Sequence, residues 1–406
     1  MAFSHWKTNP RIFRAFLDKS AKTIQWLEEK GLTFDNIPPL YQGHTIGTWH
    51  SFKNENAGPV ILKRLREICQ ELGVEMVFHC TAKRILTVDK TEVIGVLAEK
   101  KGEEMRMNAK NVIIATGGYG GNKELLKKYR PSYTEDMVYL GVPHLKGDGL
   151  RMAFEVGAAN EGLGTLILHP HFSQGPEAVT GMAQEPSTLW VNKMGERFAD
   201  EALTFRPTDC GNAIDRQPGK CVYALFDERV KKRVMEEGLL KGDFLDKRPG
   251  YAGSKPVTLD KDLKKEAEKG SVKISDSWDE IAGWMGAEPG TLRATIEEYN
   301  AFCDRGHDAL FEKDRRYLRE LRTPPFYAIK CYLCYLTTIG GIKINHHMQV
   351  LNDRGQTIPG LYAGGDTTGD WESDTYCIDL SGHAAGFAVN SGRIAGENAA
   401  ENVLGD

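Results

Sequence analysis

Apolar residues recur at near-helical spacing between positions 10 and 30, at Ile12, Phe13, Phe16, Leu17, Ile24, Trp26 and Leu27. The pattern predicts a helix or helix pair stopped by Gly31. Val60, Leu62, Leu65, Ile68 and Leu72 mark a second amphipathic helix, closed by Gly73. Val77–Ala82 reads as a strand, and Ile85–Val88 with Val93–Leu97 as a hairpin around a charged turn. Val112-Ile113-Ile114 predicts a buried strand that runs into Ala115-Thr116-Gly117-Gly118, and Gly147-Asp148-Gly149-Leu150 opens a helix ending at Gly157. From about residue 168 to 335 charge is richer, and the mixed-charge run Lys261–Lys269 predicts a solvated helix face. Ile342 and Ile344 then alternate with polar residues up to a turn at Asn352–Gly355. Leu361-Tyr362-Ala363 is a short strand entering Gly364-Gly365-Asp366, and Ser381-Gly382-His383 opens a helix of small residues.

With 406 residues the chain can bury a large core, and two domains are expected. The composition, 41% hydrophobic and 27% charged, is that of a soluble globular protein. A net charge of -4 gives no reason to expect nucleic acid or an anionic membrane as partner. No apolar run reaches bilayer length and no signal pattern opens the chain, so a cytoplasmic location is expected. Eight scattered cysteines fit a reducing compartment rather than a disulfide framework. The odd spacing of Cys331 and Cys334 sends their sulfurs to opposite faces of a strand, which makes them packing residues. His346 and His347 would likewise face opposite ways in a strand, and no metal site is expected.

A strand ending in Gly-Gly-Asp beside a glycine-rich helix N-terminus suits an anion or an electron-rich ring. Thr338-Ile339-Gly340-Gly341, Ile358–Gly365 and Ser391–Ala400, in that order and spacing, resemble the C-terminal flavin-binding piece of the fumarate reductase / succinate dehydrogenase flavoprotein superfamily. That superfamily includes 3-ketosteroid dehydrogenases and enone and enoate reductases. Ala115-Thr116-Gly117-Gly118 matches its second signature, and Gln25–Gly31 a further one. The resemblance implies FAD as cofactor. It assigns to the flavin shell Ala115, Thr116, Gly117, Gly118, Gly340, Gly341, Gly364, Gly365 and Asp366, the last on the ribityl chain. Leu380, Ser381, Gly382, His383 and Ala384 would face the pyrimidine edge. The expected fold is α/β: a split, Rossmann-like FAD-binding domain (1–167 and 336–406), N-terminally incomplete, with an inserted α+β capping domain (168–335). The family's opening G-x-G-x-x-G unit, which holds the pyrophosphate, has no match anywhere in the 406 residues. A late gene start, a separate polypeptide and a decayed remnant are all open as explanations.

The same resemblance bears on the chemistry, a hydride moved between flavin and a C=C or C–C bond. Asn192-Lys193-Met194-Gly195-Glu196-Arg197-Phe198-Ala199-Asp200-Glu201 matches a family motif, and Arg206, five residues on, is the implied acid or substrate anchor. His169 and Thr180 fall at substrate-binding positions. Other dicarboxylate contacts are replaced by Leu336, Gly181, Gln184 and Asp379. A fumarate dianion needs paired cations when it leaves water, so fumarate and succinate are poor candidates. Tyr376 is the alternative proton or hydrogen-bond donor, with Trp371 to stack on a flat substrate and Tyr119 in the other loop. The expectation is an FAD-dependent oxidoreductase acting on an enone, aryl-enoate or steroid-like compound, with an unidentified electron donor. The alternative is a non-catalytic fragment, or one subunit of a split flavoprotein completed by a separate polypeptide.

Overall fold

In the computed structural model, the described residues are 4–34, 48, 50, 52, 57–89, 92–171, 175–240, 253–380 and 382–405. The first apolar stripe folds as one helix, α1 (Pro10–Glu29), rather than a pair, because no breaker interrupts it. Asn9 caps it by accepting from the Arg11 N–H, and Pro10 fills the first turn, where no donor is needed. Helix α2 (Ala57–Glu71) follows, but Leu62 on it and Leu72 just past its end are exposed, so among the described residues its apolar stripe is only partly covered.

The predicted strand at Val77–Ala82 starts later, at Cys80, and Phe78 is exposed beneath the Arg66 guanidinium. A strand exists only where a ladder partner exists, and among the described residues none pairs with 74–78. The hairpin is present as β1 (Cys80–Val88) and β2 (Glu92–Lys100), joined by β3 (Glu103–Asn108) into an antiparallel meander. Strand β4 (Val112–Ile114) runs parallel to a late strand described below. Ile114 is buried but Ile113 is exposed, which corrects the expectation of a fully buried strand: among the described residues β4 is an edge.

Helix α3 (Lys123–Tyr129) is capped by Asn122, β5 (Val138–Tyr139) is brief, and α4 (Asp148–Glu155) starts from left-handed Gly147. There follow β6 (Asn160–Glu161), β7 (Leu166–His171), α5 (Glu177–Ala183) and β8 (Leu189–Asn192). Helix α6 (Pro207–Asp215) leads to β9 (Cys221–Asp227), α7 (Glu228–Glu237) and α8 (Leu259–Glu268). On α8, Leu259 and Leu263 are buried while the charged positions between them face water. Next come β10 (Val272–Ser275), α9 (Trp278–Met285) and α10 (Pro289–Arg305).

Strand β11 (Phe326–Thr338) is the spine of a six-stranded sheet ordered β10-β11-β9-β8, with β5 and β7 also pairing to it. Both its faces are covered: Cys331, Leu333 and Cys334 are wholly buried, and Phe226 stacks flat on Tyr327. Cys331 and Cys334 are free thiols whose pKa values burial raises, that of Cys334 to about 12, as suits packing residues. Beside this sheet a buried charge network joins Arg197 to Glu201 and Asp308, and Lys313 to Glu201 at 2.9 Å.

The chain closes with β12 (Gly341–Ile342), β13 (Gln349–Leu351), β14 (Thr357–Ala363) and α11 (His383–Leu404). Strand β14 lies between β13 and β4. His346 and His347 sit in the turn before β13, not in a strand, so their rings lie 4.0 Å apart instead of on opposite faces. Helix α1 packs on α11 through Phe16, edge-on to Phe387 at 5.8 Å, and through Thr23, which receives a hydrogen bond from Arg393. No described helix is long and apolar enough to cross a membrane.

Candidate functional site

Parallel pairing of Ile114 with Ala363 makes β4 and β14 end at the same level, and the Gly364 N–H donates to the Ile114 carbonyl at 3.0 Å. Ala115-Thr116-Gly117-Gly118 and Gly364-Gly365-Asp366 therefore leave the sheet side by side, at the carboxyl end where open α/β sheets bind ligands. Thr116 and Thr367 bring their hydroxyls to 3.5 Å, and the Gly365 N–H donates to Ser391 Oγ on α11 at 2.9 Å. The glycine requirement is met from within the chain. A Cβ on Gly118 would stand 2.1 Å from Thr338 Oγ1, and one on Gly341 2.2 Å from the Thr367 carbonyl. Gly340 is crowded in the same way by Gly162. Those glycines let the cradle's own segments close on one another, whereas Ala115 and Thr116 are exposed at its lip.

Helix α11 begins after Gly382, whose left-handed φ of 81° turns the loop into the helix. Its first turns carry exposed Ala385 and Ala388, so no large side chain stands over that face. Asp366 lies in the short turn Gly365–Thr367, and burial pushes its carboxyl up to about 6 against the pull of the Thr337 hydroxyl and His383. The Tyr139 phenol, stacked on Tyr335 at 4.9 Å, is held above its usual pKa by burial and by nearby Asp366. Thr337 and Tyr139 carried no sequence signal; only the pairing of β5 with β11 brings Tyr139 here.

Small exposed residues, a half-buried carboxyl and a helix N-terminus are the fittings a flavin ring and its ribityl hydroxyls require. The residues present fit that half of FAD. Ser381 lies outside the described residues.

His383 occupies the first position of α11, and its ring is buried. Nδ1 meets the Leu380 carbonyl at 2.7 Å and Nε2 contacts Glu372 Oε1, so both ring nitrogens face acceptors. Tyr376 stacks on the imidazole at 4.3 Å, and its hydroxyl accepts from the Ala384 N–H at 3.4 Å. Burial raises the Tyr376 pKa, so the phenol keeps its proton. Glu372 was missed by the sequence reading, and no motif marks it.

Trp371 packs inside the protein. It is 1% exposed, stacks on Phe387 at 4.4 Å and donates its indole N–H to the Thr368 carbonyl. Tyr119 is buried too: its hydroxyl accepts from the Gly164 N–H, and burial pushes its pKa to about 12. His169 is half-buried on β7, with Nδ1 at 2.9 Å from the Pro170 carbonyl, and Thr180 is half-buried on α5. Arg206 precedes α6 and donates to Asp209 and to Asp379 Oδ1, the latter at 2.9 Å. Burial weakens its charged form, but the two carboxylates more than offset that and raise its pKa.

The sequence model of a family described as an FAD binding domain matches residues 1–373. The vinyl phenol reductase of Lactiplantibacillus plantarum is 30% identical over 411 residues, covering 98% of this chain and 82% of that protein. A probable fumarate reductase of Shewanella frigidimarina is 29% identical over 397 residues, covering 97% of this chain and 62% of its own length. The structure of the open conformation of a flavocytochrome c3 fumarate reductase superposes with a TM-score of 0.70 at 27% identity, covering 99% of this chain and 66% of that one. The chain thus belongs to the FAD-binding flavoproteins of the fumarate reductase / succinate dehydrogenase superfamily, a family of flavin-dependent oxidoreductases, and FAD is the cofactor for which its cradle is built.

Proposed function

We propose that this protein is an FAD-dependent reductase of C=C bonds whose substrate is larger and less anionic than fumarate: an enone, an aryl-alkene or aryl-enoate, or a steroid-like compound. The observation that carries the reading is Arg206 bound between Asp209 and Asp379 beside an otherwise preserved flavin cradle. Support also comes from the relative named for vinyl phenol, an uncharged aryl-alkene.

FAD, when bound, supplies the hydride. Asp366 is the chain's acceptor for ribityl hydroxyls, and the N-terminal turn of α11 sets donors toward the electron-rich edge of the ring. Tyr376 holds its proton at that same turn, where its hydroxyl can offer a hydrogen bond to a substrate oxygen, and the His383–Glu372 pair fixes its ring. The split domain, with 168–335 as the cap, belongs to the same reading.

The test is to load the purified chain with FAD, reduce it anaerobically, and follow reoxidation of the flavin absorbance by 4-vinylphenol, an enone, a 3-ketosteroid, acrylate and fumarate. Fastest reoxidation by an uncharged alkene is expected; fumarate as fast as any of them overturns the substrate reading. A second reading is that the flavin site is completed only with another polypeptide. Among the described residues no strand pairs with the far edge of β4, and its exposed Ile113 also supports this reading. A chain that stays colourless after FAD and gel filtration is its expected result.

A further inference from the structure

Arg206 stands where the turn Glu201–Phe205 passes into α6, and Pro207 fixes the first residue of the helix. Its guanidinium reaches two carboxylates from opposite directions. Asp209 is three residues on, one helical turn along the same element. Asp379 comes from the loop before α11, 173 positions away in the chain. A second contact holds this loop to α6: Asn212 Nδ2 donates to Thr375 Oγ1 at 2.8 Å. Thr165 Oγ1 adds another, to the Ser373 carbonyl at 2.9 Å. Asp379 is therefore carried on an anchored loop, yet its side chain is 44% exposed and that of Arg206 31%, so small molecules can reach both.

We propose that Asp379 is a specificity-determining residue: it occupies Arg206 and so closes the site to substrates bearing a carboxylate at that end, an inference that rests on the reductase reading above. Among the described residues, the carboxylates of Asp209 and Asp379 both face the one Arg206 guanidinium. A carboxylate arriving there must displace Asp379 from the guanidinium or sit against two like charges. An uncharged aryl or alkyl group meets no such barrier. Selectivity against dicarboxylates then comes from a charge built into the chain, in addition to any cations lost from it.

Succinate, which bears both carboxylates and has no double bond to reduce, is the probe. Its affinity is measured by titration calorimetry on the purified FAD-loaded chain, for wild type, Asp379→Asn, Asp379→Glu and Asp379→Asn/Arg206→Gln, with circular dichroism to confirm folding. About tenfold tighter succinate in Asp379→Asn is expected, weakening as salt rises, with none of the gain in Asp379→Glu or in the double variant. Equal succinate affinity in wild type and Asp379→Asn overturns the assignment, as does a gain that survives Arg206→Gln. Asp379→Ser serves in place of Asp379→Asn if the latter fails to fold. A succinate gain in a protein that reduces no alkene supports the role of Asp379 and overturns only the reductase reading.

Discussion

Asp366 and Asp370 stand four residues apart in the segment after β14, and burial raises both carboxyls to about 6. They differ in what they can meet. Asp366 has the Thr337 hydroxyl and the cradle in front of it, whereas Asp370 has neighbouring Glu161 raising its pKa further and an Oδ2 with no hydrogen-bond partner in the structure. Asp370 also holds a left-handed φ of 70°, which asparagine tolerates at least as well. A raised carboxyl pKa means that the folded state binds the proton more tightly than the unfolded state. Its contribution to stability is complete below about pH 4 and lost as pH climbs through about 6. Asp370→Asn removes that loss, so it should stabilise the chain by roughly 2–3 kcal/mol at pH 7.5 and by little at pH 4.5. Urea unfolding of wild type and variant at the two pH values checks this; a difference that does not change with pH would count against it. None of this was visible in the sequence, because neither φ nor burial of a loop aspartate leaves a pattern there.

Among the elements, those whose period matches their burial were legible and those that depend on a distant partner were not. The β1–β2 hairpin follows from two apolar runs around a charged turn, and α1 from its stripe of Ile12, Phe16 and Leu27. Residues 74–78 have strand-like composition, but among the described residues they have no ladder partner, and β4 is too short for its sequence to show that one of its edges is open. The glycine clusters located the cradle, and the structure adds that Gly118 and Gly341 are needed for the close packing of the chain's own segments. The aromatic candidates Tyr376, Trp371 and Tyr119 are all buried, Tyr376 at the entrance of α11 with its ring on His383; a lone aromatic in a loop does not reveal how deeply it will pack. The helix that ends the cradle is held from behind by α1, where Phe16 fills the space beside Gly386 and Phe387. Phe16→Ala should therefore cost about 3–5 kcal/mol and weaken FAD retention together with stability. Thermal unfolding with and without FAD measures both, and a loss under 1 kcal/mol would show that α11 is held by other contacts.

At the scale of the whole molecule, the two sheets treat their edges differently. In the large sheet the spine β11 is buried on both faces and paired along its length by β7, β9 and β10, so its thiols and aromatics are shielded. In the small sheet β14 is flanked on both sides, but among the described residues β4 is terminal and its Ile113 is exposed, as are Leu62, Val74 and Phe78 elsewhere in the same early part of the chain. A bare, apolar strand edge is a template for another strand, whether from a partner or from a second copy. Charge on that edge opposes unspecific pairing, which is how natural sheets protect such strands. Ile113→Lys should lower light scattering of the isolated chain on warming and leave the unfolding midpoint within a few degrees, since the side chain it replaces is already solvent-facing. If scattering is the same in both proteins, the edge is covered in solution and the second reading of the flavin site loses its structural support. If scattering falls and the variant also loses its capacity to take up FAD, the edge is where the flavin site is completed.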